Sequence, residues 1–182
     1  MDRPGVTTDK AYSAQIPGSA TMRTVIFGPN PRRTAVRAAV LVAAAIVVFG
    51  VILLPVRLSG ISMEPTYTDG TLNFANRLAY AGPRRPTRGD VVAIRMAGPN
   101  VLYVKRIVGL PGERVEIETG TVLIDGRPLP EPTVVHKAPW TVPAVTLGHQ
   151  EYFVIGDNRG MSVENHDFGR ATLDRIVGKL LF

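Results

Sequence analysis

Ser62 lies in the segment SGISMEPTYTDG (residues 59–70), whose glycines and proline favour a loop rather than a helix or a strand. The segment begins three residues after a long apolar run that ends at Val56. A serine hydroxyl is a weak nucleophile at neutral pH and becomes reactive when a neighbouring group takes its proton. Chemistry at Ser62 therefore requires a base elsewhere in the chain.

The side chains that could act as this base are the histidines, the carboxylates and the lysines. The three histidines (His136, His149 and His166) form no pair with metal-ligand spacing such as H-E-x-x-H, and no serine stands in a G-x-S-x-G motif. The chain contains no cysteine, which excludes a thiolate nucleophile, a disulfide framework and Cys-based metal sites. A lysine is therefore a candidate base.

Lys105 stands in NVLYVKRIVGLPGE (residues 100–113), a segment with the composition of a β-strand. Alternation along a strand puts Lys105 on the same face as Tyr103 and Ile107. Such apolar neighbours withdraw water from the ammonium group and lower the lysine pKa from its ordinary value of about 10.4. A decrease of roughly two or three units would make Lys105 a usable base. The alternative is an edge-strand Lys105–Arg106 pair that faces solvent, and the strand alone favours this alternative.

The elements that must position these residues begin with an apolar segment, Ala38–Val56, of 19 residues without a charge. As a helix it would cover roughly 28 Å of a hydrocarbon core about 30 Å thick. Three arginines stand in the seven residues before it, whereas only Arg57 follows closely. The positive-inside rule therefore predicts a cytoplasmic tail over residues 1–37, a transmembrane helix over 38–56 and an outer domain over 57–182.

Two alternatives to a membrane anchor compete. A cleaved signal peptide has an apolar stretch of about 7 to 15 residues near the N-terminus and a small-x-small exit. This run is longer, begins at residue 38 and ends in Pro55, Val56 and Arg57. A buried core helix that is apolar on every side would need a much larger protein around it. Both alternatives are therefore weaker than the anchor.

The net charge of +6 is concentrated before the apolar run. Residues 1–37 hold six of the 21 basic residues and two acidic ones, so the remainder is close to neutral. This distribution argues against a nucleic-acid partner. Residues 1–30 are rich in Thr, Gly, Pro and Ser, and we expect a flexible tail there.

Short β-type runs separated by turn residues follow Arg57, without a convincing amphipathic helix. Asp125-Gly126 is a typical tight-turn pair, and residues 128–148, rich in proline, are predicted to form a surface connection or flap. The fold class predicted is mainly β: a compact antiparallel domain after one N-terminal transmembrane helix. The strands are predicted at residues 91–96, 101–108, 114–118, 121–124, 152–155 and 175–181.

Four motifs, taken together, resemble a known family. They are SGISMEPT (59–66), RGDVV (88–92), YVKRIVGLPGE (103–113) and GDNRGMS (156–162), in this order after one apolar segment. The set is similar to that of type I signal peptidases, the membrane-bound Ser-Lys endopeptidases of the S26 group. The resemblance covers residues 38–182 and favours the buried lysine over the solvent-facing one.

By this resemblance Ser62 is the nucleophile and Lys105 the general base. The Ser62 backbone N–H would donate to the oxyanion of the tetrahedral intermediate. Ser162 matches the serine that orients the lysine, although a turn-capping serine would fit its position equally well without the family. Gly60 stands where some relatives add a second oxyanion donor, which leaves that donor open.

The resemblance also implies residues that bind substrate and residues that support the site. Neither a metal nor an organic cofactor is expected. The expected partners are exported preproteins with signal peptides, and the lipid bilayer. The substrate-binding residues would be Ser59, Gly60, Ile61, Leu102, Tyr103 and Val104. The structural residues would be Met63, Pro65, Arg106, Gly156, Asp157, Asn158 and Arg159, with an ion pair between Arg106 and Asp157.

The chain departs from the family pattern after Ser162. Most members have an Asp-Ser-Arg triplet where this chain has Glu164, Asn165 and His166. Glu164 can replace the acid, but a histidine in place of arginine weakens any salt bridge expected there. The segment from 114 to 153 is short for the family, so we expect a minimal catalytic domain.

These observations predict an endopeptidase of the cytoplasmic membrane, with its N-terminus inside and its catalytic domain outside, that cleaves signal peptides through an acyl-enzyme. One alternative is a self-cleaving Ser-Lys regulator of the SOS-repressor kind, against which the apolar segment argues. The other is a catalytically silent, membrane-anchored β domain that binds export partners. The presence of Ser62, Lys105 and Ser162 together argues against a domain without catalytic activity.

Overall fold

The computed structural model describes residues 30–97 and 101–182. The predicted tail over residues 1–29 lies outside the described residues. The chain divides into two units, residues 1–43 and residues 44–182. The first described element is helix α1, Pro31–Val47, which begins with a proline at a position where its missing N–H costs nothing.

A π-helical turn, Val48–Ile52, continues α1. The combined segment, Pro31–Ile52, is 22 residues long and has no buried residue. A stretch of 18 residues within it has a mean hydropathy of 2.6, so the segment is long and apolar enough to cross a membrane. It begins before the predicted Ala38 and ends before the predicted Val56. Residues Leu53–Arg57 form strand β1 instead.

The β strands form two antiparallel sheets. The larger has the order β1-β2-β11-β3-β4-β9-β10, and the smaller the order β7-β6-β5-β8. After β1, the strands are β2 Leu72–Asn76, β3 Val91–Ala97, β4 Val101–Gly109, β5 Arg114–Glu118, β6 Thr121–Ile124, β7 Arg127–Pro128, β8 Val142–Thr146, β9 Glu151–Ile155, β10 Gly169–Thr172 and β11 Ile176–Leu180. The predicted fold class, mainly antiparallel β with one N-terminal apolar helix, is confirmed.

All six predicted strands are present, corresponding to β3, β4, β5, β6, β9 and β11. The prediction missed β1, β2, β7, β8 and β10. The segment over residues 128–148, predicted as a connection, contains β8, which pairs with β5. The missed β1 is an edge strand, where a proline such as Pro55 removes no interior hydrogen bond.

Three apolar clusters fill the space around the sheets. One packs Met63 with Val56, Leu58 and Ala75 under the loop that carries Ser62. A second contains Trp140 and is made largely by the smaller sheet and the chain around it. The third lies against β4 at Ile107. The chain segments that carry Ser62 and Lys105 are therefore anchored in packed cores.

Candidate active site

Ser62 begins a turn in the loop between β1 and β2. The loop is closed at its base by a hydrogen bond of 2.9 Å from Leu58 N to Thr71 O. Gly60 has a φ of 94°, a conformation that favours glycine, and its N–H donates to Asp69 Oδ1 at 2.7 Å. Met63 is only 2% exposed, so the side chain after the serine holds the loop on the core.

Lys105 on β4 reaches the serine. Its Nζ lies 3.0 Å from Ser62 Oγ, within hydrogen-bond distance. Lys105 is 4% exposed and faces Val92 across the β3–β4 pair. Burial lowers the Lys105 pKa, and the negative charge of Asp167 opposes this effect. A buried amine next to a hydroxyl is an arrangement that can take the hydroxyl proton.

The turn after β9, Gly156–Arg159, lies directly behind the serine. Asn158 N donates to Ser62 O at 3.0 Å, and Asn158 Nδ2 donates to Ile61 O at 3.1 Å. Gly156 packs so closely that an added Cβ would collide with Ser62 O and the His166 ring. This turn therefore fixes the backbone on which the serine stands.

The predicted ion pair between Arg106 and Asp157 is present and bidentate. Arg106 Nε lies 2.7 Å from Asp157 Oδ1, and its second guanidinium nitrogen lies 2.6 Å from Oδ2. The hydrogen bond from Arg106 to Asp157 raises the arginine pKa. Asp157 Oδ2 also accepts from Thr66 Oγ1 at 2.5 Å. The pair thus connects β4, the turn after β9 and the serine loop.

Arg159 in this turn has a partner that the sequence analysis missed. Its guanidinium is 1% exposed, donates to Gly156 O at 2.6 Å and pairs with Glu131. Glu131 belongs to the segment predicted as a flap. In the same segment, Trp140 Nε1 donates a hydrogen bond to Met161 O at 3.0 Å. Burial lowers the Arg159 pKa, and Glu131 opposes this effect. The contacts of Glu131 and Trp140 therefore stabilise the turn and the residues that follow it.

His166, at the departure from the family pattern, is buried rather than part of a salt bridge. It is 4% exposed, its Nε2 accepts from Gly156 N at 3.0 Å, and its ring lies 4.8 Å from that of Trp140. Burial, and then the positive charges of Lys105 and Arg159, lower the His166 pKa to about 4. His166 is therefore a neutral packing residue at neutral pH.

Ser162 is exposed, and its Oγ accepts a hydrogen bond of 3.1 Å from Asn165 Nδ2. Within the part of the chain that the structure describes, no hydrogen bond joins Ser162 to Lys105. Its predicted role in orienting the lysine stays a prediction. Glu164, the expected replacement for the family acid, is exposed and has no ion pair among the described residues.

A groove of about 350 Å³ opens beside the Ser62–Lys105 pair. All six predicted substrate-binding residues line it. Of the predicted structural residues, Met63 lines the groove and the others do not. Among residues 30–97 and 101–182, no cluster of His, Cys, Asp or Glu is placed to hold a metal ion. The lining also includes residues that the sequence analysis did not assign to the groove: Arg57, Leu58, Met161, Asn165 and Asp167.

A serine hydroxyl bonded to a buried lysine amine on an antiparallel β scaffold is the arrangement of a Ser-Lys hydrolase. Residues 32–182 match the model of the family described as signal peptidase, peptidase S26. The chain belongs to this family.

Relatives of this chain agree with this membership. A signal peptidase I of Bacillus licheniformis is 34% identical over 140 residues, which are 70% of this chain and 74% of the relative. One of Bacillus amyloliquefaciens is 33% identical and covers 78% of each chain. A probable signal peptidase I-1 of Synechocystis sp. is 31% identical and covers 66% of this chain, which spans 65% of that relative.

Among solved structures, a signal peptidase I from Enterococcus faecalis V583 is 29% identical, with a TM-score of 0.44. The match covers 53% of this chain and 97% of that one. The names of the curated relatives, together with the apolar segment Pro31–Ile52, indicate a membrane-anchored protein.

Proposed function

We propose that the protein is a membrane serine endopeptidase that removes signal peptides from exported preproteins, with Ser62 as the nucleophile and Lys105 as the general base. The observation that carries the proposal is the 3.0 Å hydrogen bond between Ser62 Oγ and the buried Lys105 Nζ. Family membership supplies the substrate class.

In the first half of the reaction, neutral Lys105 accepts the Ser62 hydroxyl proton while Oγ attacks the scissile carbonyl carbon. The resulting oxyanion accepts a hydrogen bond from the Ser62 backbone N–H; loss of one such donor costs acyl-transfer enzymes about 3 to 4 kcal/mol. The C–N bond then breaks, and Lys105 returns its proton to the leaving amine. This step gives two products. One is an ester between Ser62 Oγ and the carbonyl of the signal peptide, and the other is the mature protein with a free N-terminal amine.

In the second half, a water molecule gives a proton to Lys105 and attacks the ester carbonyl. The C–O bond to Ser62 breaks as Lys105 returns its proton to Ser62 Oγ, and the signal peptide leaves as a carboxylic acid that loses its proton to water. Ser162, by the family resemblance, orients Lys105 throughout. Every proton is moved by Ser62, Lys105, substrate or water, so the cycle closes without a further reactant.

Substrate would lie in the groove between the serine loop and β4. Small side chains at the first and third positions before the cut suit its shallow, largely apolar lining, which includes Ile61, Met63 and Leu102. The helical segment Pro31–Ile52 would be the anchor and residues 53–182 the outer peptidase domain. The arginines that precede the segment favour a cytoplasmic N-terminus and a catalytic domain outside.

Incubation of the detergent-solubilised protein with a preprotein that has an Ala-x-Ala exit tests the proposal. We expect the mature fragment from the parent and none from Ser62→Ala or Lys105→Ala, with circular dichroism to confirm that both variants fold. Cleavage by the folded Ser62→Ala variant would contradict the assigned nucleophile. A folded parent that binds the preprotein but never cuts it would favour the silent, partner-binding domain.

A further inference from the structure

Asp167 differs from the other acidic residues around the dyad. Asp157 pairs with Arg106 and Glu131 with Arg159. Asp167 is exposed, and no hydrogen bond or ion pair joins it to another residue in the ranges 30–97 and 101–182. Its carboxylate is therefore available to a ligand in the groove.

The backbone that carries Asp167 is held on both sides. His166 before it is buried, and the ring of Phe168 after it stacks on Trp140 with centroids 6.1 Å apart. These neighbours hold the backbone of Asp167 at the groove that its side chain lines.

The groove offers few charges besides Asp167. Its other lining residues are neutral except Arg57 and Lys105. Lys105 is engaged with Ser62 Oγ, and no ion pair within 4.0 Å links it to Asp167 among the described residues. A carboxylate in such a groove attracts a positively charged side chain of the peptide that occupies it.

We propose that Asp167 is a specificity-determining residue that favours preproteins with a lysine or arginine at the second position before the scissile bond or at one of the two positions after it. The inference rests on the proposed function, because it takes the groove as the substrate site. The positions next to the scissile bond are chosen because Asp167 lines the same groove as Ser62 and Lys105. An exposed pair of this kind contributes up to about 1 kcal/mol, which corresponds to roughly a five-fold preference.

The test compares peptides with an Ala-x-Ala exit that carry either lysine or glutamine at one position: the second residue before the cut, or the first or second residue after it. We expect the parent to prefer one of the lysine peptides about three- to five-fold in kcat/KM, through KM, and Asp167→Asn to lose this preference. Glu164→Gln is the matched control: it removes an exposed acid from the same segment outside the groove lining, and should keep the preference.

Binding of the same peptides to Ser62→Ala, with and without Asp167→Asn, separates this inference from the proposed function. A lysine preference in binding that depends on Asp167 supports the inference even if the parent cuts nothing. Equal affinity for lysine and glutamine peptides at every position would overturn it. So would an Asp167→Asn variant that slows both kinds of peptide by the same factor, because Asp167 would then act on the dyad and not on specificity.

Discussion

In the mechanism that we propose, Lys105 acts as the base because its surroundings favour the neutral amine. It is 4% exposed on a central strand, and burial lowers its pKa. The rate of cleavage should therefore rise with pH as the amine loses its proton, at a lower pH than an exposed lysine would require. The alternation of β4 allows this burial, but the strand alone favoured a solvent-facing lysine, and the four motifs together favoured the buried one.

Lys105→Arg should abolish activity while preserving the positive charge. A guanidinium stays protonated throughout the accessible pH range, so it cannot accept the Ser62 proton. We expect a loss of at least about 10²-fold that is not recovered by raising the pH. Lys179→Arg, at a lysine that pairs with Asp90 at 2.6 Å, is the matched control and should retain activity. Appreciable cleavage by the folded Lys105→Arg variant would exclude the lysine as base.

His166 should make the folded protein sensitive to acid. Its pKa is lowered to about 4 from an ordinary 6.5, so the unfolded chain binds more protons between these values. This contribution is fully present above pH 6.5 and is lost as the pH falls towards 4. At about 1.4 kcal/mol per pKa unit, it amounts to roughly 3 kcal/mol.

Urea unfolding at pH 7 and pH 4.5 checks this contribution. His166→Gln, which keeps an acceptor for Gly156 N–H without a titratable group, should lose less stability between the two pH values than the parent does. His149→Gln changes an exposed histidine and should behave like the parent. An unchanged pH dependence in His166→Gln would show that other groups cause the acid sensitivity.

Some residues of the site could be predicted from the sequence and others could not. Ser62, Lys105 and the Arg106–Asp157 pair stand in local motifs or alternate along one strand. No local motif or alternation marks Glu131 or Asp167. Glu131 pairs with the buried Arg159, which is distant in the sequence, and Asp167 lines a groove formed by several separate segments. An acid in an apolar, proline-rich segment was the available hint at Glu131.

At the scale of elements, the strands that were missed are short or lack alternation. β1 follows the apolar helix without a polar boundary, so composition alone extends the helix to Val56. β8 contains Pro143, and β10 has four residues. Their pairing with β2, β5 and β9 stabilises them, and this long-range information is absent from local patterns.

The turn after β9 should tolerate a side chain at one glycine and not at another. Gly156→Ala would push a methyl group against Ser62 O and the His166 ring, neither of which can move freely. A displacement of about 1 Å at the nucleophile lowers kcat on the order of 10²-fold. Gly160→Ala meets its nearest atoms at 3.4 Å and serves as the control. Equal kcat values for the two variants would contradict this account of the turn.

At the scale of the whole molecule, the proposed peptidase domain should begin at β1 and not at Arg57. A truncated variant that starts at Leu53 keeps the edge strand and Val56, which is 7% exposed in the core. We expect it to fold without detergent. A variant that starts at Ser59 loses both features and should be less stable by about 2 kcal/mol or more. Equal midpoints in urea would show that β1 is dispensable.

Because β1 follows the helical segment without a linker, the nucleophile is held on a short tether. Ser62 lies ten residues after Ile52, and ten extended residues span at most roughly 35 Å. In the membrane anchorage that we propose, a substrate held in the same bilayer would meet Ser62 at a high effective concentration. The short connection would also limit cleavage to peptide bonds close to the bilayer surface, because bonds farther along the exported chain would lie beyond the reach of Ser62.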